Sequence, residues 1–275
     1  MFSSSRWAPR NLLFLLLAIA VSTAASAQLA LYDNFNSKHI DPSKWGGFQF
    51  YDPDLHEVVR ELTGEDRSRR LHLSQIAYSA TTDDNGSGGG GFGIAFPAPG
   101  AINEVSFDVV VYKAVAVGCL SNPSGQIVTG AEFRGRFFNT ESVPTSQLGD
   151  VETVIGANRN ATDSGPAIEV LGFYERCDDD FCGARTTLGF QRLGFIQPGT
   201  SNRFHIKWDQ PNHRFVFQLN NGPLVSSPYT VSDTSQPFLG PIKTIDLARV
   251  VPHCTTTPRP FTSIDAYFDN VYVNP

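Results

Sequence analysis

The segment from Arg203 to Asn220 constrains the fold more than any other part of the chain. It contains two runs in which apolar and polar residues alternate, separated by a Gln-Pro-Asn break. Such a pattern predicts a β-hairpin with one buried face. Because most of the apolar residues are aromatic, that face has to pack against a second sheet, which indicates a two-sheet β-sandwich. The alternating apolar residues are Phe204, Ile206, Trp208, Phe215, Phe217 and Leu219.

The first 27 residues have the composition of a secretory signal peptide. Arg6 and Arg10 precede an apolar run from Leu12 to Val21, and Ala25-Ser26-Ala27 supplies small residues at a cleavage site. Basic, apolar and small-residue regions in this order are typical of export signals. The alternative is a membrane-anchoring helix, but the run is shorter than the roughly 20 residues needed to span a bilayer. We expect residues 1–27 to be removed and residues 28–275 to be secreted, into the extracellular space or a periplasm.

The charge of the mature chain argues against nucleic acid as a partner. Two of the 21 Lys and Arg residues lie in the signal and none of the 27 Asp and Glu does, so residues 28–275 carry a formal charge of 19 − 27 = −8. Nucleic-acid binding depends on Lys and Arg that neutralise phosphates, and we expect none here. No later apolar run approaches the length of a spanning helix, so we also expect no membrane span after signal removal.

Alternating segments separated by turn residues continue along the chain and predict an all-β domain. The 24 Gly and 18 Pro residues suit many turns and disfavour long helices. About a dozen strands of this kind fit one two-sheet antiparallel jelly-roll sandwich over residues 28–275. Thr81 to Gly91, with the sequence TTDDNGSGGGG, is predicted to be a flexible surface loop. Neither a helix nor a Lys-Ser/Thr pair follows this loop, which excludes a phosphate-binding P-loop.

Four cysteines in an exported chain predict disulfides, and three pairings are open. Cys177 and Cys182 bracket only four residues, so a local bridge at a hairpin tip is the simplest interpretation. Cys119 would then pair with Cys254 by elimination. A metal site on Cys177 and Cys182 is the alternative, but their spacing is not that of a zinc knuckle and no second pair follows.

Two segments at the ends of the mature chain resemble those of a known superfamily. DNFNSKHIDPSKW contains a strand that ends in Asp-x-Phe and leads into an Ile-Asp-x-x-x-Trp loop, and AYFDNVYVN closes the chain. Both resemble the first and last strands of concanavalin A-like lectin and glucanase domains, which also contain an aromatic strand pair like the hairpin above. The resemblance implies a concanavalin A-like jelly roll in which the first and last strands pair. Asp33 would then lie near Asp269.

Glucanases of this superfamily carry Glu-x-Asp-x-Glu on one strand, where alternation places all three carboxylates on one face. The segment Glu104-Val105-Ser106-Phe107-Asp108 has this spacing, which makes Glu104 and Asp108 the catalytic candidates. Ser106 replaces the middle carboxylate, and Asp108 is one methylene shorter than the Glu of the pattern. We therefore expect no hydrolysis by this route, and a solvated polar face is the simpler interpretation.

The other strand of this type reads Glu132-Phe133-Arg134-Gly135-Arg136, with Arg where a glucanase requires carboxylates. Polysaccharide lyases share the fold and use a Tyr or His base with Arg and Gln. Tyr112, His72 and Gln75 are residues of these types elsewhere in the chain. We regard Glu132, Arg134, Arg136 and Tyr112 as candidate ligand-binding residues.

Sugar binding requires only exposed aromatic faces and a few polar side chains in a shallow groove. Trp45 we assign to core packing, because most aromatic residues are buried. Residues of suitable type in predicted loops are Phe48, Phe50, Tyr51, Asn139, Asn158 and Asn160.

A structural calcium ion is a further hypothesis for the seam between the chain ends. If Asp33 and Asp269 meet there, two carboxylates repel unless a proton or a cation lies between them. Calcium accepts 6–8 oxygen ligands of mixed kind. In the alternative, Asp33 and Asp269 bind backbone N–H groups or nearby basic side chains separately.

The sequence thus predicts a secreted, non-catalytic, lectin-like domain. Its expected partner is an extracellular carbohydrate or another cell-surface ligand, with no essential cofactor. The alternatives are a polysaccharide-cleaving enzyme, either a glycoside hydrolase or a lyase, and a structural or interaction domain without a sugar ligand.

Overall fold

A computed structural model describes residues 28–51, 55–65, 67–79, 83–122 and 127–275. The predicted signal peptide lies outside the described residues. Within the described ranges the regular structure is β-strand, apart from short 3-10 turns at Pro99–Ala101 and Gln210–Asn212. The strands are β1 (Ala30–Asp33), β2 (Gly46–Tyr51), β3 (Leu55–Thr63), β4 (Arg70–Tyr78), β5 (Ser87–Ala95), β6 (Glu104–Val117), β7 (Val128–Asn139), β8 (Asp150–Asn160), β9 (Ile168–Cys177), β10 (Arg185–Ile196), β11 (Ser201–Asp209), β12 (Arg214–Leu219), β13 (Val225–Pro228), β14 (Lys243–Pro252) and β15 (Phe261–Val273).

The strands form two antiparallel sheets packed face to face. Sheet A has the order β13-β12-β11-β6-β15-β4-β3, with β1 paired to β15, and sheet B has the order β10-β9-β8-β7-β14-β5-β2. Strands distant in sequence are neighbours in both sheets, as in a jelly roll. The predicted all-β, two-sheet antiparallel jelly-roll sandwich is therefore confirmed.

The hairpin of β11 and β12 lies at one side of sheet A and contributes much of the core. Phe204 pairs with Leu219 and Ile206 with Phe217, in the register that alternation predicts. The rings of Phe215 and Phe138, the latter from sheet B, stack at 6.3 Å. Phe204, Ile206, Phe215 and Phe217 are buried between the sheets, as the alternating pattern predicts, while Trp208 and Leu219 are partly buried.

The chain ends meet at the seam of sheet A, because β1 pairs with β15 and Ala30 lies opposite Val273. Trp45 is 3% exposed and packs near them, as predicted. The disulfides join Cys119 to Cys254 and Cys177 to Cys182, which is the predicted pairing. Below they are called the long-range and the local disulfide.

The prediction of a flexible loop from Thr81 to Gly91 is wrong for its second half, because Ser87–Ala95 forms strand β5 inside sheet B. Its glycines serve close packing. A Cβ atom at Gly93 would lie 2.1 Å from the carbonyl oxygen of Ile245, and one at Gly91 would lie 2.9 Å from the Phe48 ring. Strand β2, which carries Phe48, pairs with β5 and was expected to be a loop.

None of the helices in the described part of the chain is long and apolar enough to cross a membrane.

Candidate functional site

The outer face of sheet B carries a group of buried charges. Strand β7 is the fourth of seven strands in this sheet. Alternation turns Glu132, Arg134 and Arg136 outward, while Ala131 and Phe133 point into the core and are fully buried. The structure therefore places three of the sequence-predicted binding residues in the middle of one sheet face. Together with Glu152 on β8 and Arg185 on β10 they form a cluster, here called the ion-pair floor.

Direct ion pairs hold this floor together. Arg134 donates from Nε and Nη2 to Oε1 of Glu132, at 2.9 and 2.8 Å, and from Nη1 to Oε1 of Glu152 at 2.7 Å. Arg185 donates to the same Glu152 oxygen at 2.7 Å. Arg136 donates to Oε2 of Glu152 at 3.4 Å. The carboxylate of Glu152 thus binds three guanidinium groups, and these ion pairs fix the positions of the arginine side chains on the sheet.

The two kinds of charge differ in their access to solvent. The side chains of Glu132 and Glu152 are only 3% and 7% exposed, whereas those of Arg134 and Arg185 are 27% and 30% exposed. The carboxylates therefore lie beneath the guanidinium groups, and their oxygens accept hydrogen bonds from the arginine N–H groups. An incoming ligand would meet arginine N–H donors first.

The ion pairs also set the protonation of the floor. Burial opposes ionisation of Glu152, but Arg134, Arg185 and Arg136 lower its pKa to about 2. Burial, together with the charge of Glu152, outweighs the guanidinium groups of Arg134 and Arg185 and raises the pKa of Glu132. Glu152 is therefore ionised at any physiological pH, while Glu132 holds a proton more readily than an exposed glutamate does.

Asp246 adds a second acid beside Glu132. It lies on β14 directly opposite Glu132 and is fully buried. Thr244 donates to its Oδ1 at 2.6 Å, and Oδ2 has no hydrogen-bond partner among the described residues. Burial, and then the charge of Glu132, raise the pKa of Asp246 to about 7. One edge of the floor thus contains a carboxyl that changes charge near neutrality.

The pairing of the strands places exposed phenylalanines at both ends of this face. Residues directly opposite one another in a sheet point to the same side, so a row can be followed from strand to strand. One row begins at Phe50 on β2 and ends at Phe195 on β10, and these rings are 59% and 66% exposed. Seven strands are spanned, or about 29 Å at ~4.8 Å per strand. The residues of this row are Phe50, Gly91, Ala248, Gly130, Asn158, Glu169 and Phe195.

A parallel row contains the ion pairs and ends at another exposed ring. Phe190 on β10 is 47% exposed and lies opposite Phe173, which lies opposite Val154. Val154 is in turn paired with Arg134. Between the phenylalanines, glycines leave room for the neighbouring side chains: a Cβ at Gly156 would lie 2.7 Å from the Cβ of Glu132. The result is a long face with a charged centre and aromatic ends.

The catalytic candidates Glu104 and Asp108 lie elsewhere, on the outer face of sheet A. Glu104 contacts His205 at 2.9 Å and Lys207 at 3.0 Å. Asp108 accepts from Arg203 at 2.8 and 3.0 Å. Each carboxylate is therefore engaged by basic side chains of the neighbouring strand, as expected for a polar sheet face.

Tyr112 is also on sheet A and is separated from Arg134 and Arg136 by the thickness of the sandwich. His72 lies on the same sheet, and Gln75 points into the interior, where it is 1% exposed. The lyase constellation considered from the sequence is not brought together.

The predicted calcium ligands both lie at the terminal seam. Asp33 accepts from the backbone N–H of Phe35 at 3.0 Å and from Nε1 of Trp45 at 2.7 Å. Burial raises the pKa of Asp269, and the charges of Asp108 and Asp33 add to this effect. Within the described ranges, the one group of three or more acidic, His or Cys ligand atoms close enough to share an ion is Asp84 with the two cysteines of the long-range disulfide. Asp33 and Asp269 would need further ligands from backbone or water, and calcium at this seam stays a prediction.

Sequence reasoning missed Glu152, Arg185 and Asp246. Asp246 lies between the apolar residues Ile245 and Leu247, so its outward direction was readable from the sequence, whereas the segments of Glu152 and Arg185 do not alternate regularly. The position of each relative to β7 depends on the strand order, which one sequence does not contain.

No family model and no characterised protein matches this chain by sequence. Solved structures do resemble it at low identity. An endo-β-galactosidase from Clostridium perfringens that releases GlcNAcα1-4Gal matches over 90% of this chain, with 10% identity and a TM-score of 0.37, and this chain spans 64% of that protein. A mixed-linkage glucan GH16 protein from Bacteroides ovatus matches over 88% of this chain and 98% of its own, with 11% identity and a TM-score of 0.43. Lectin II from Ulex europaeus matches over 81% of this chain and 97% of its own, with 11% identity and a TM-score of 0.32. At TM-scores below 0.5, these similarities assign neither an activity nor a ligand to this chain.

Proposed function

We propose that this protein is a carbohydrate-binding domain whose outer face of sheet B holds an extended, uncharged glycan chain without cleaving it. The observation that carries the proposal is the ion-pair floor between exposed phenylalanines. Glycans present hydroxyls around their ring edges and apolar C–H groups on their ring faces. A floor of fixed N–H donors with aromatic rings at its ends complements both.

The charges of the floor favour a neutral glycan over an acidic one. Arg134, Arg136 and Arg185 are offset by the carboxylates with which they pair, which are Glu132, Glu152, Asp150 and Glu175. Little net positive charge is left for a sulfate or carboxylate, while individual N–H groups still point outward. Bidentate contacts of arginine to vicinal hydroxyls suit this arrangement.

Burial of the carboxylates supports binding over catalysis. A catalytic acid or nucleophile has to touch the glycosidic bond. Glu132 and Glu152 are 3% and 7% exposed and their oxygens accept from arginines. Asp246 is fully buried.

The binding proposal is tested by affinity electrophoresis in gels that contain neutral polysaccharides, with the Phe190→Ala and Phe195→Ala variants. Loss of a stacking ring is expected to weaken binding about tenfold, because one such contact contributes about 1–1.5 kcal/mol. Phe190→Tyr retains the ring and serves as the matched control. Wild-type affinity in both alanine variants would contradict binding at this face.

Hydrolysis is the second candidate, and one specific observation favours it. Glu132 and Asp246 are directly opposite on neighbouring strands, and the Asp246 pKa of about 7 suits a general acid. Directly opposed side chains in an antiparallel pair have Cβ atoms about 5 Å apart, which places the two carboxyl groups on the same face and near one another, as the paired carboxyl groups of glycosidases are.

Reducing-end release from the same polysaccharides decides between the two candidates. Our proposal predicts no release by wild-type protein. Release that is lost in both Glu132→Gln and Asp246→Asn, while Phe190→Tyr retains it, would establish hydrolysis instead. Glu104→Gln is the control on sheet A and is expected to behave as wild type.

A further inference from the structure

The outer face of sheet A carries a cavity that the glycan-binding proposal for sheet B does not use. Its volume is about 480 Å³. It lies between the turn joining β3 to β4 and the outward side chains of β6 and β15. Its lining includes Thr63, Ser68, Arg70, Tyr112, Asp265 and Tyr267. A volume of this size matches small-molecule sites.

Two tyrosines form one wall of this cavity. The Tyr112 ring is 53% exposed and meets the Tyr267 ring edge-to-face, with centroids 5.1 Å apart and planes at 77°. Tyr267 in turn stacks on His72, at 4.6 Å and 13°. His72 lies directly opposite Tyr267 on β4, and its ring nitrogens contact Glu61 at 3.0 Å and Asp265 at 3.4 Å. Tyr267 is therefore held in place by His72, while about half of Tyr112 is exposed to solvent.

The polar groups around the tyrosines include both donors and acceptors. Arg70 supplies N–H donors, Asp265 a carboxylate, and Thr63 and Ser68 hydroxyls. Arg70 and Tyr267 also line a smaller adjoining cavity of about 120 Å³, together with Asp108 and Asp269. One arginine among several aspartates gives no surplus of positive charge, so an anionic ligand is disfavoured.

We propose that this cavity is a second carbohydrate site, which takes one or two residues of a neutral pyranose. The apolar face of the sugar ring packs on Tyr112, and its hydroxyls donate to Asp265 and accept from Arg70. The site lies on the opposite face of the sandwich from the ion-pair floor. It stands independently of the proposed function of sheet B.

Two sites on opposite faces have a measurable consequence. The layers of a sandwich are stacked back to back, so one short oligosaccharide cannot reach both outer faces. Each protein molecule is therefore expected to bind two tetrasaccharides. A long polysaccharide is expected to cross-link protein molecules, because each protein can bind two chains.

The test is isothermal titration of the mature chain with three probes: β-1,4-linked glucose, β-1,3-linked glucose and β-1,4-linked galactose tetrasaccharides. Tyr112→Ala is expected to lose one of two binding events or to weaken it about tenfold or more. Tyr112→Phe keeps the ring and is expected to bind as wild type. Arg70→Ala is a second variant that leaves the tyrosines in place and is expected to weaken the same event.

The outcomes separate this proposal from the one for sheet B. If sheet B binds no glycan, wild-type protein still shows one event, which Tyr112→Ala weakens and Phe190→Ala leaves unchanged. Unchanged stoichiometry and affinity in both Tyr112→Ala and Arg70→Ala would overturn the second site. Failure of all three probes to bind wild-type protein would overturn it as well.

Discussion

Lys243, on strand β14 next to β7, allows a direct test of how strongly its ammonium group is buried. Its side chain is buried opposite Gly135, where Nζ donates to the carbonyl of Pro99 at 2.9 Å and lies 4.3 Å from the centre of the Phe137 ring. Burial lowers the pKa of Lys243 to about 7. At low pH the folded protein thus buries an ammonium group that has few polar partners. Replacement by Met removes the free-energy cost of burying this charge and keeps a similar side-chain volume.

The pH dependence of this effect has a defined sign. Below pH 7 the lysine is charged in both states, so its burial cost is fully present. Above pH 7 the folded protein releases the proton while the unfolded chain keeps it up to a pKa of about 10.4, so the free energy of unfolding rises with pH. Integration from pH 6 to pH 9 gives a rise of about 2.6 kcal/mol for the wild type.

Urea unfolding of wild-type and Lys243→Met protein at pH 6, 7, 8 and 9 measures this quantity. The variant is expected to be the more stable at pH 6, and its advantage to shrink by about 2–3 kcal/mol at pH 9. Lys113→Met, at an exposed position, is the control and is expected to show no such trend. A Lys243→Met difference that is constant across the range would refute the assigned burial of the ammonium group.

Three further predictions concern stability. Serine replacement of the long-range disulfide, whose cysteines are 135 residues apart, is expected to lower the free energy of unfolding by about 5 kcal/mol, against about 2 kcal/mol for the local one, since the longer loop restricts the unfolded chain more. Equal losses in urea unfolding would contradict that explanation. Gln75→Leu is expected to raise stability by about 1–3 kcal/mol, because both ends of this buried amide lack hydrogen-bond partners among the described residues; a lower melting temperature would show that the amide is satisfied. For the calcium hypothesis, calcium at one hundred times its Kd is expected to add about 2.7 kcal/mol relative to chelator, and Asp269→Ala to abolish the gain; equal wild-type melting temperatures in both conditions would remove the ion.

Much of the fold followed from local pattern. Alternation in the segments of β11 and β12 required a second sheet, and the terminal motifs indicated that β1 pairs with β15. The exceptions were the glycine-rich segment of β5 and its neighbour β2, which were expected to be loops. Glycines normally signal turns, but at Gly91 and Gly93 they permit close contact with neighbouring strands, and that need is visible only once β2 and β14 are in place.

The candidate site was predictable only in part. The pattern of Glu132, Arg134 and Arg136 identified one polar strand face correctly. The residues around these side chains come from distant parts of the sequence: Arg185 is 53 residues from Glu132, and Asp246, directly opposite Glu132, is 114 residues from it. Their meeting depends on which strands become neighbours, a property of the whole sandwich.

The central claim is that the outer face of sheet B binds a neutral glycan, and amide chemical-shift mapping tests it most directly. Isotope-labelled mature protein is titrated with β-1,4-linked glucose, β-1,3-linked glucose and β-1,4-linked galactose tetrasaccharides in turn. At least one probe is expected to shift amides of β7 to β10 in a saturable way, including those of Phe190 and Phe195. Absence of saturable shifts on β7 to β10 with all three probes would contradict the claim.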